Sequence, residues 1–195
     1  MFIGISGRAR SGKDTAGTYI SQKLKSHGYN VYTTAYANTL KEDLIKNFDL
    51  SVSQVHGDLK ESPDARYSKG IGKGFWTPRE MMQAYGQFMR SIDPDYWVKA
   101  LFRNLPEADF TILTDLRQPN EVYAVVGREG YHIRMIRDDR PEIADSTHET
   151  ETALEREEVP INHTVYNNGS LEELYKELDR IIDLIMLIEE DKNGK

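Results

Sequence analysis

Gly7-Arg8-Ala9-Arg10-Ser11-Gly12-Lys13-Asp14-Thr15 sets two glycines five apart, with a lysine directly after the second. That spacing suits phosphate chemistry. A glycine-rich turn lets backbone N–H groups face an anion, Lys13 can reach β- and γ-phosphates, and a following helix adds partial positive charge at its N-terminus. Gly7, Arg10, Ser11, Gly12, Lys13, Asp14 and Thr15 are therefore candidate contacts to a bound nucleotide. The position after the lysine usually carries Ser or Thr, whose hydroxyl binds Mg²⁺. Here it is Asp14, with Thr15 next. Asp14 either holds Mg²⁺, directly or through water, or is a first-turn acid that favours the helix dipole.

Further polar residues suit phosphoryl transfer, which needs a metal and positive charge around the moving group. Asp115 follows the apolar run Phe110–Thr114. At the carboxyl end of a parallel strand it would orient Mg²⁺ or its waters; the alternative is a plain helix cap. Arg117 faces the same mouth. Arg79 and Arg90 are eleven residues apart, about three helical turns, so they share a face. They are candidates for bidentate phosphate binding, or else solvated surface charges. Gly86 and Gln87 lie between them. Arg134, Arg137 and Arg140 suggest an arginine-bearing lid loop at about 137–150, with a solvated charged loop as the alternative. His148-Glu149-Thr150-Glu151 lacks metal-protease spacing and reads as a helix start.

These residues need elements to hold them. Phe2–Ser6 reads as a strand running into the glycine loop, and Ala16, Tyr19, Ile20 and Leu24 give the next stretch helical spacing. Strands are expected at Asn30–Ala35, Phe110–Thr114, Tyr131–Ile136 and Ile161–Tyr166. Helices are expected from Asn38, from Thr77 to about Ser91, after Asp93-Pro94-Asp95, and over Gln118–Arg128. Thr77-Pro78-Arg79-Glu80 and Ser170 with Glu173 are capping boxes. The last of these opens a helix with Leu171, Leu174, Leu178, Ile181, Ile182 and Ile185 on one face, read as core packing or as a homodimer seam. Residues 51–76 carry four glycines and several basic residues and read as a mobile basic loop. The alternation predicts an α/β fold with a parallel sheet of about five strands flanked by helices, and the strand-loop-helix at Gly7–Thr15 makes it of the P-loop NTPase type. One domain over 1–195 is expected, with a helical insertion at about 38–105.

Composition narrows the classes. The chain has 195 residues, 38% hydrophobic and 29% charged, with net charge −7 and no cysteine. Thiolate chemistry and disulfides are excluded. The acidic balance argues against duplex nucleic acid as a partner. His27, His56, His132, His148 and His163 show no metal-ligand spacing. No signal peptide or membrane span is visible, so a cytoplasmic location is expected.

In order along nearly the whole chain, these segments resemble the deoxynucleoside monophosphate kinases of tailed bacteriophages. The resemblance is carried by the Gly7–Thr15 loop, Leu40-Lys41, Thr77-Pro78-Arg79-Glu80 with Gly86 and Arg90, Asp115-Leu116-Arg117-Gln118-Pro119-Asn120-Glu121, His148-Glu149-Thr150-Glu151 and Asn167-Asn168-Gly169. It implies transfer of the ATP γ-phosphate, with Mg²⁺, to a deoxynucleoside monophosphate. It also implies that Lys41, Arg79, Arg90, Arg117 and Glu121 line the monophosphate site, approached by Gly86 and Gln87. Asn167 and Asn168 would lie near the adenine. Related sequences often carry Gly-Thr where this chain has Gly86-Gln87. Animal-type phosphomevalonate kinases resemble the same loop, so another small phosphate is the alternative acceptor, and a non-catalytic nucleotide-binding module is a third reading. Tyr85, Phe88, Tyr96 and Trp97 would separate the first two if they form a platform for a base rather than core.

Overall fold

The computed structural model describes residues 1–138, 153–154 and 158–194. The proposed lid at about 137–150 and the helix start at His148 therefore lie outside the described residues, apart from Arg137 and Asp138. The chain divides into two compact units, Met1–Ala35 with Pro106–Lys195, and Tyr36–Leu105.

The first unit is a five-stranded sheet with order β2-β3-β1-β4-β5. Its strands are β1 (Phe2–Ser6), β2 (Val31–Thr34), β3 (Phe110–Leu116), β4 (Tyr131–Ile136) and β5 (His163–Tyr166). Every pairing is parallel. Among the described residues, α1 (Lys13–Ser26), α6 (Pro119–Val126) and α7 (Leu171–Asn193) cover it. Alternation along β1 explains the layering. Ile3 and Ile5 are buried with Ile20 and Leu24 of α1 and Leu178, Ile182 and Ile185 of α7. Gly4 points the other way, where a Cβ would meet Leu116 and Val125 of α6 at 2.3 and 3.3 Å. Each fully buried Ile or Leu contributes about 1.5–3 kcal/mol. The α/β class with helices on both faces is thus as read from the alternation.

Boundaries shift for local reasons. β3 runs through Asp115 to Leu116, two residues further than its apolar run, because pairing with β1 breaks register: Gly4 faces Leu113 but Ser6 faces Leu116. That leaves an extra residue on β3 around Thr114–Asp115, a bulge that re-aims side chains at the sheet's carboxyl edge. Strands β2 and β5 are shorter than expected. Leu171 is exposed, so the buried stripe of α7 starts at Leu174.

The second unit holds α2 (Tyr36–Phe48), α3 (Val52–Val55), a 3-10 turn (Asp58–Glu61), α4 (Pro78–Ile92) and α5 (Tyr96–Arg103). Helix α2 begins at Tyr36, two residues before the expected cap, because Tyr36 is itself buried. Residues 51–76 form a built segment rather than a loose loop. Ser51 and Gln54 cap α3 reciprocally. Asp64 is buried and accepts from Arg66 Nη2 at 2.7 Å and Gln54 Nε2 at 2.8 Å. The Arg66 guanidinium holds the Asp64 carboxyl far below the usual carboxylate range. Tyr67 and Trp76 pack against the core of Leu40, Leu44, Leu50, Val55, Met81 and Trp97. Trp97 belongs to this core, and the partly buried Tyr85 and Tyr96 pack against it, each edge-to-face with Trp97 at 5.8 and 4.8 Å, whereas Phe88 is exposed.

Candidate functional site

Because the sheet is wholly parallel, the carboxyl ends of β1, β3, β4 and β5 share one edge, and each carries a candidate residue. The loop after β1 has the backbone of an anion cradle. Gly7 has φ 146° and Gly12 φ 97°. A Cβ at Gly7 would lie 2.5 Å from Met135 O, and one at Gly12 would lie 2.4 Å from Asn167 Nδ2. Arg10 is also left-handed, at φ 62°. Lys13 donates from Nζ to Gly7 O (2.7 Å) and Arg8 O (2.8 Å), holding its ammonium across the loop. Ser11 is fully buried, and its hydroxyl finds no hydrogen-bond partner among the described residues. Asp14 and Thr15 stand exposed in the first turn of α1.

Beside the loop lies a cavity of about 460 Å³, bounded by Arg10, by Gly12 to Thr15, and by Arg137, Asn167, Gly169 and Leu171 from beyond β4 and β5. Three cations against one carboxylate suit a polyphosphate. Among the described residues, no group of three or more Asp, Glu or His comes together as a metal site. Mg²⁺ is commonly bound by one or two carboxylates plus substrate phosphates. Asp14 at the cradle fits that pattern, and so does Asp115 near the end of β3.

Two residues expected to touch substrate have duties within the protein. Glu121 is buried, and its Oε2 accepts from the backbone N–H of Arg117 (2.7 Å) and Gln118 (3.0 Å). It fixes the bend that carries Arg117. Asn167, expected near adenine, donates from Nδ2 to Ser11 O at 3.0 Å and ties the cradle to the end of β5. Asn168 and Asp138 bond reciprocally: Asn168 Nδ2 donates to Asp138 Oδ2 (2.7 Å), and the Asp138 N–H donates to Asn168 Oδ1 (2.9 Å). Asp138 follows Arg137 directly, so this tie also fixes the root of that arginine. A tie between Ser6 and His132, 126 residues apart, has no local signal in the sequence.

In the second unit, Arg79 and Arg90 both sit on α4, as the Thr77 capping box predicts. Arg79 pairs with Glu61 on the 3-10 turn. Arg90 is half-buried with no ion-pair partner among the described residues. Gly86 is buried: a Cβ there would lie 2.8 Å from Leu40 Cδ1, and the Arg90 guanidinium lies against the same spot at 3.7 Å. The Gly86 carbonyl accepts from Trp97 Nε1 at 3.1 Å. Gln87 is exposed. Lys41 on α2 lies 3.5 Å from His56 Nδ1. Local desolvation, with Lys41 and Lys60 alongside, pushes the exposed His56 imidazole below its ordinary value.

A family model described as deoxynucleotide monophosphate kinase matches residues 65–178. The chain belongs to the deoxynucleotide monophosphate kinase family. It is a phosphotransferase, and the non-catalytic reading is set aside. An Acanthamoeba polyphaga mimivirus protein, assigned as a deoxynucleotide monophosphate kinase, is 30% identical over 202 residues, covering 94% of this chain and 96% of its own length. The deoxynucleotide monophosphate kinase of Escherichia phage RB69 is 32% identical over 114 residues, 55% of this chain and 45% of its own. Among solved structures, shikimate kinase from Aquifex aeolicus aligns over 100% of both chains with 18% identity and TM-score 0.44. Among the described residues, no helix of this family member is long and apolar enough to cross a membrane.

Proposed function

We propose that this kinase transfers the γ-phosphate of ATP to a deoxynucleoside monophosphate, giving the diphosphate and ADP. The observation that carries the reading is the cradle: two glycines that tolerate no Cβ, with the Lys13 ammonium held over them beside a cationic cavity. ATP phosphates would take the loop N–H groups, Lys13 and the Ser11 hydroxyl, with Arg10 and Arg137 flanking. Asp14 and Asp115 would hold Mg²⁺, which would supply charge neutralisation to the transferring phosphates. An acceptor phosphate oxygen forms a bond to the γ-phosphorus while the β–γ bridging bond breaks, its electrons leaving with ADP.

Lys41, Arg79, Arg90 and Arg117 are the proposed acceptor-phosphate ligands, with Glu121 fixing the backbone at Arg117. Arg90 suits the task because no carboxylate neutralises it among the described residues. Arg79 would exchange Glu61 for substrate. Of the four aromatic candidates, Phe88 is the exposed one and is proposed to stack on a base, since Trp97 is buried in the core and Tyr85 and Tyr96 pack against it.

Coupled ADP release, with Mg-ATP and each of dAMP, dCMP, dGMP, dTMP and phosphomevalonate, tests the reading. Turnover of about 1–100 per second with at least one deoxynucleotide, and none without acceptor, is the expected result. Turnover with phosphomevalonate alone would overturn it.

A further inference from the structure

Ser6 is the last residue of β1, and the peptide after it opens the cradle. Its hydroxyl lies 2.7 Å from His132 Nε2. On the other side of the ring, His132 Nδ1 lies 2.6 Å from Pro160 O. A carbonyl only accepts, so Nδ1 carries the proton and donates it to Pro160. Nε2 is then bare and accepts from the Ser6 hydroxyl. Both side chains are fully buried. Burial pushes the imidazole below its ordinary value and Arg134 pushes the same way, against the bond to Pro160, which favours the neutral ring. The backbone of His132 is fixed as well: its N–H donates to Asn162 Oδ1 at 2.8 Å and its carbonyl accepts from Asn162 N–H at 3.0 Å.

We propose that His132 is a positioning residue for ATP: through Ser6 it fixes the opening of the phosphate cradle, and with it the Lys13 ammonium. The path is short. Ser6 is bonded to Gly7, Gly7 packs against the Met135 backbone, and the Gly7 carbonyl receives Lys13 Nζ. A shift at Ser6 therefore moves an acceptor of the lysine that faces the phosphates. Asn167 holds the same loop further on, at Ser11 O, so the cradle is tied to β4 at its start and to the end of β5 near its close. This inference rests on reading the loop as the ATP cradle.

Calorimetric binding of MgATP to wild type, Ser6→Ala, His132→Asn and His132→Gln tests it, with thermal midpoint and acceptor KM followed alongside. An Asn amide overlies Nδ1 and keeps only the Pro160 contact; a Gln amide overlies Nε2 and keeps the contact to Ser6. Ser6→Ala and His132→Asn should weaken MgATP roughly 5- to 20-fold, the scale of one buried hydrogen bond, with acceptor KM unchanged. His132→Gln should bind close to wild type. Should His132→Asn lose its fold, Ser6→Ala removes a single oxygen and carries the test. MgATP affinity unchanged in Ser6→Ala, or His132→Gln as weak as His132→Asn, would overturn the proposal and leave the cradle reading standing. A wild type that binds no MgATP would bring down the cradle reading, and this inference with it.

Discussion

At the residue scale, Gly12 shows how little freedom the cradle allows. Two separate costs meet any side chain there. The backbone is left-handed at φ 97°, which L-residues resist by roughly 1–2 kcal/mol. A Cβ would also sit 2.4 Å from Asn167 Nδ2, the group that holds Ser11 O. Gly28 separates the two costs, since it too is left-handed, at φ 88°, but has nothing within 4 Å of a Cβ. Gly28→Ala should lower stability by about 1 kcal/mol and leave kinase turnover intact. Gly12→Ala should show that loss and also weaken ATP at least about tenfold, because displacing Asn167 releases the loop from β5. Parallel urea titrations and ATP saturation curves check both. Equal ATP KM in the two variants would mean that Asn167 has no part in shaping the cradle.

At the element scale, helix α4 carries Arg79, Gly86, Gln87 and Arg90, and its start is fixed locally. Thr77 Oγ1 accepts from the Glu80 N–H at 3.2 Å, and Glu80 Oε2 accepts from the Thr77 N–H at 2.9 Å. Thr77→Ala should cost about 1 kcal/mol, read as a lower urea midpoint, while Thr77→Ser retains most of it. No change in Thr77→Ala would mean that the Lys69–Glu80 pair at 2.6 Å holds the helix start unaided. Features of this kind are legible in a sequence because both partners lie within one turn. The Thr77 and Ser170 boxes, the strand-loop-helix at Gly7–Thr15 and the stripe of α7 were all visible for that reason. What was illegible joins distant residues. Trp76 helps turn 51–76 into a built segment only by packing against the distant core around Leu44. Asn167 reads as a nucleotide contact, and its second duty, holding Ser11 O 156 residues away, has no local signal. The bulge opposite Ser6 depends on register between β1 and β3, which no residue type announces. Trp97 reads equally as platform or core until its burial decides for core.

At the scale of the whole molecule, the response to acid should come in two windows, one set by histidines and one by carboxylates. Asp64 is foremost among the carboxylates, with Glu80, Asp93, Glu173 and Asp179 also held below their ordinary values. His132 and His163 in the first unit, and His56 in the second, have imidazoles pushed below their ordinary value of 6.5, chiefly by desolvation. Below about pH 6.5 the unfolded chain takes up protons that these native rings resist. The unfolded state then binds more protons, so stability falls as pH falls through this range and is recovered on returning to neutrality. Asp64 acts lower down. Its carboxyl is held far under 3.8 by Arg66 and Gln54, so its contribution is complete above that value and is lost only in stronger acid. His132 is the most enclosed of the three rings and should dominate the upper window. Thermal midpoints at pH 7.5, 6.5 and 5.5 should therefore decline in the wild type and decline less steeply in His132→Gln, which has no proton to gain. Retaining the Ser6 contact, the variant keeps its ATP affinity at pH 7.5, so any change in slope belongs to the proton and not to a damaged cradle. Equal slopes in the two proteins would assign the upper window to His56 and His163 and leave His132 uncoupled from folding.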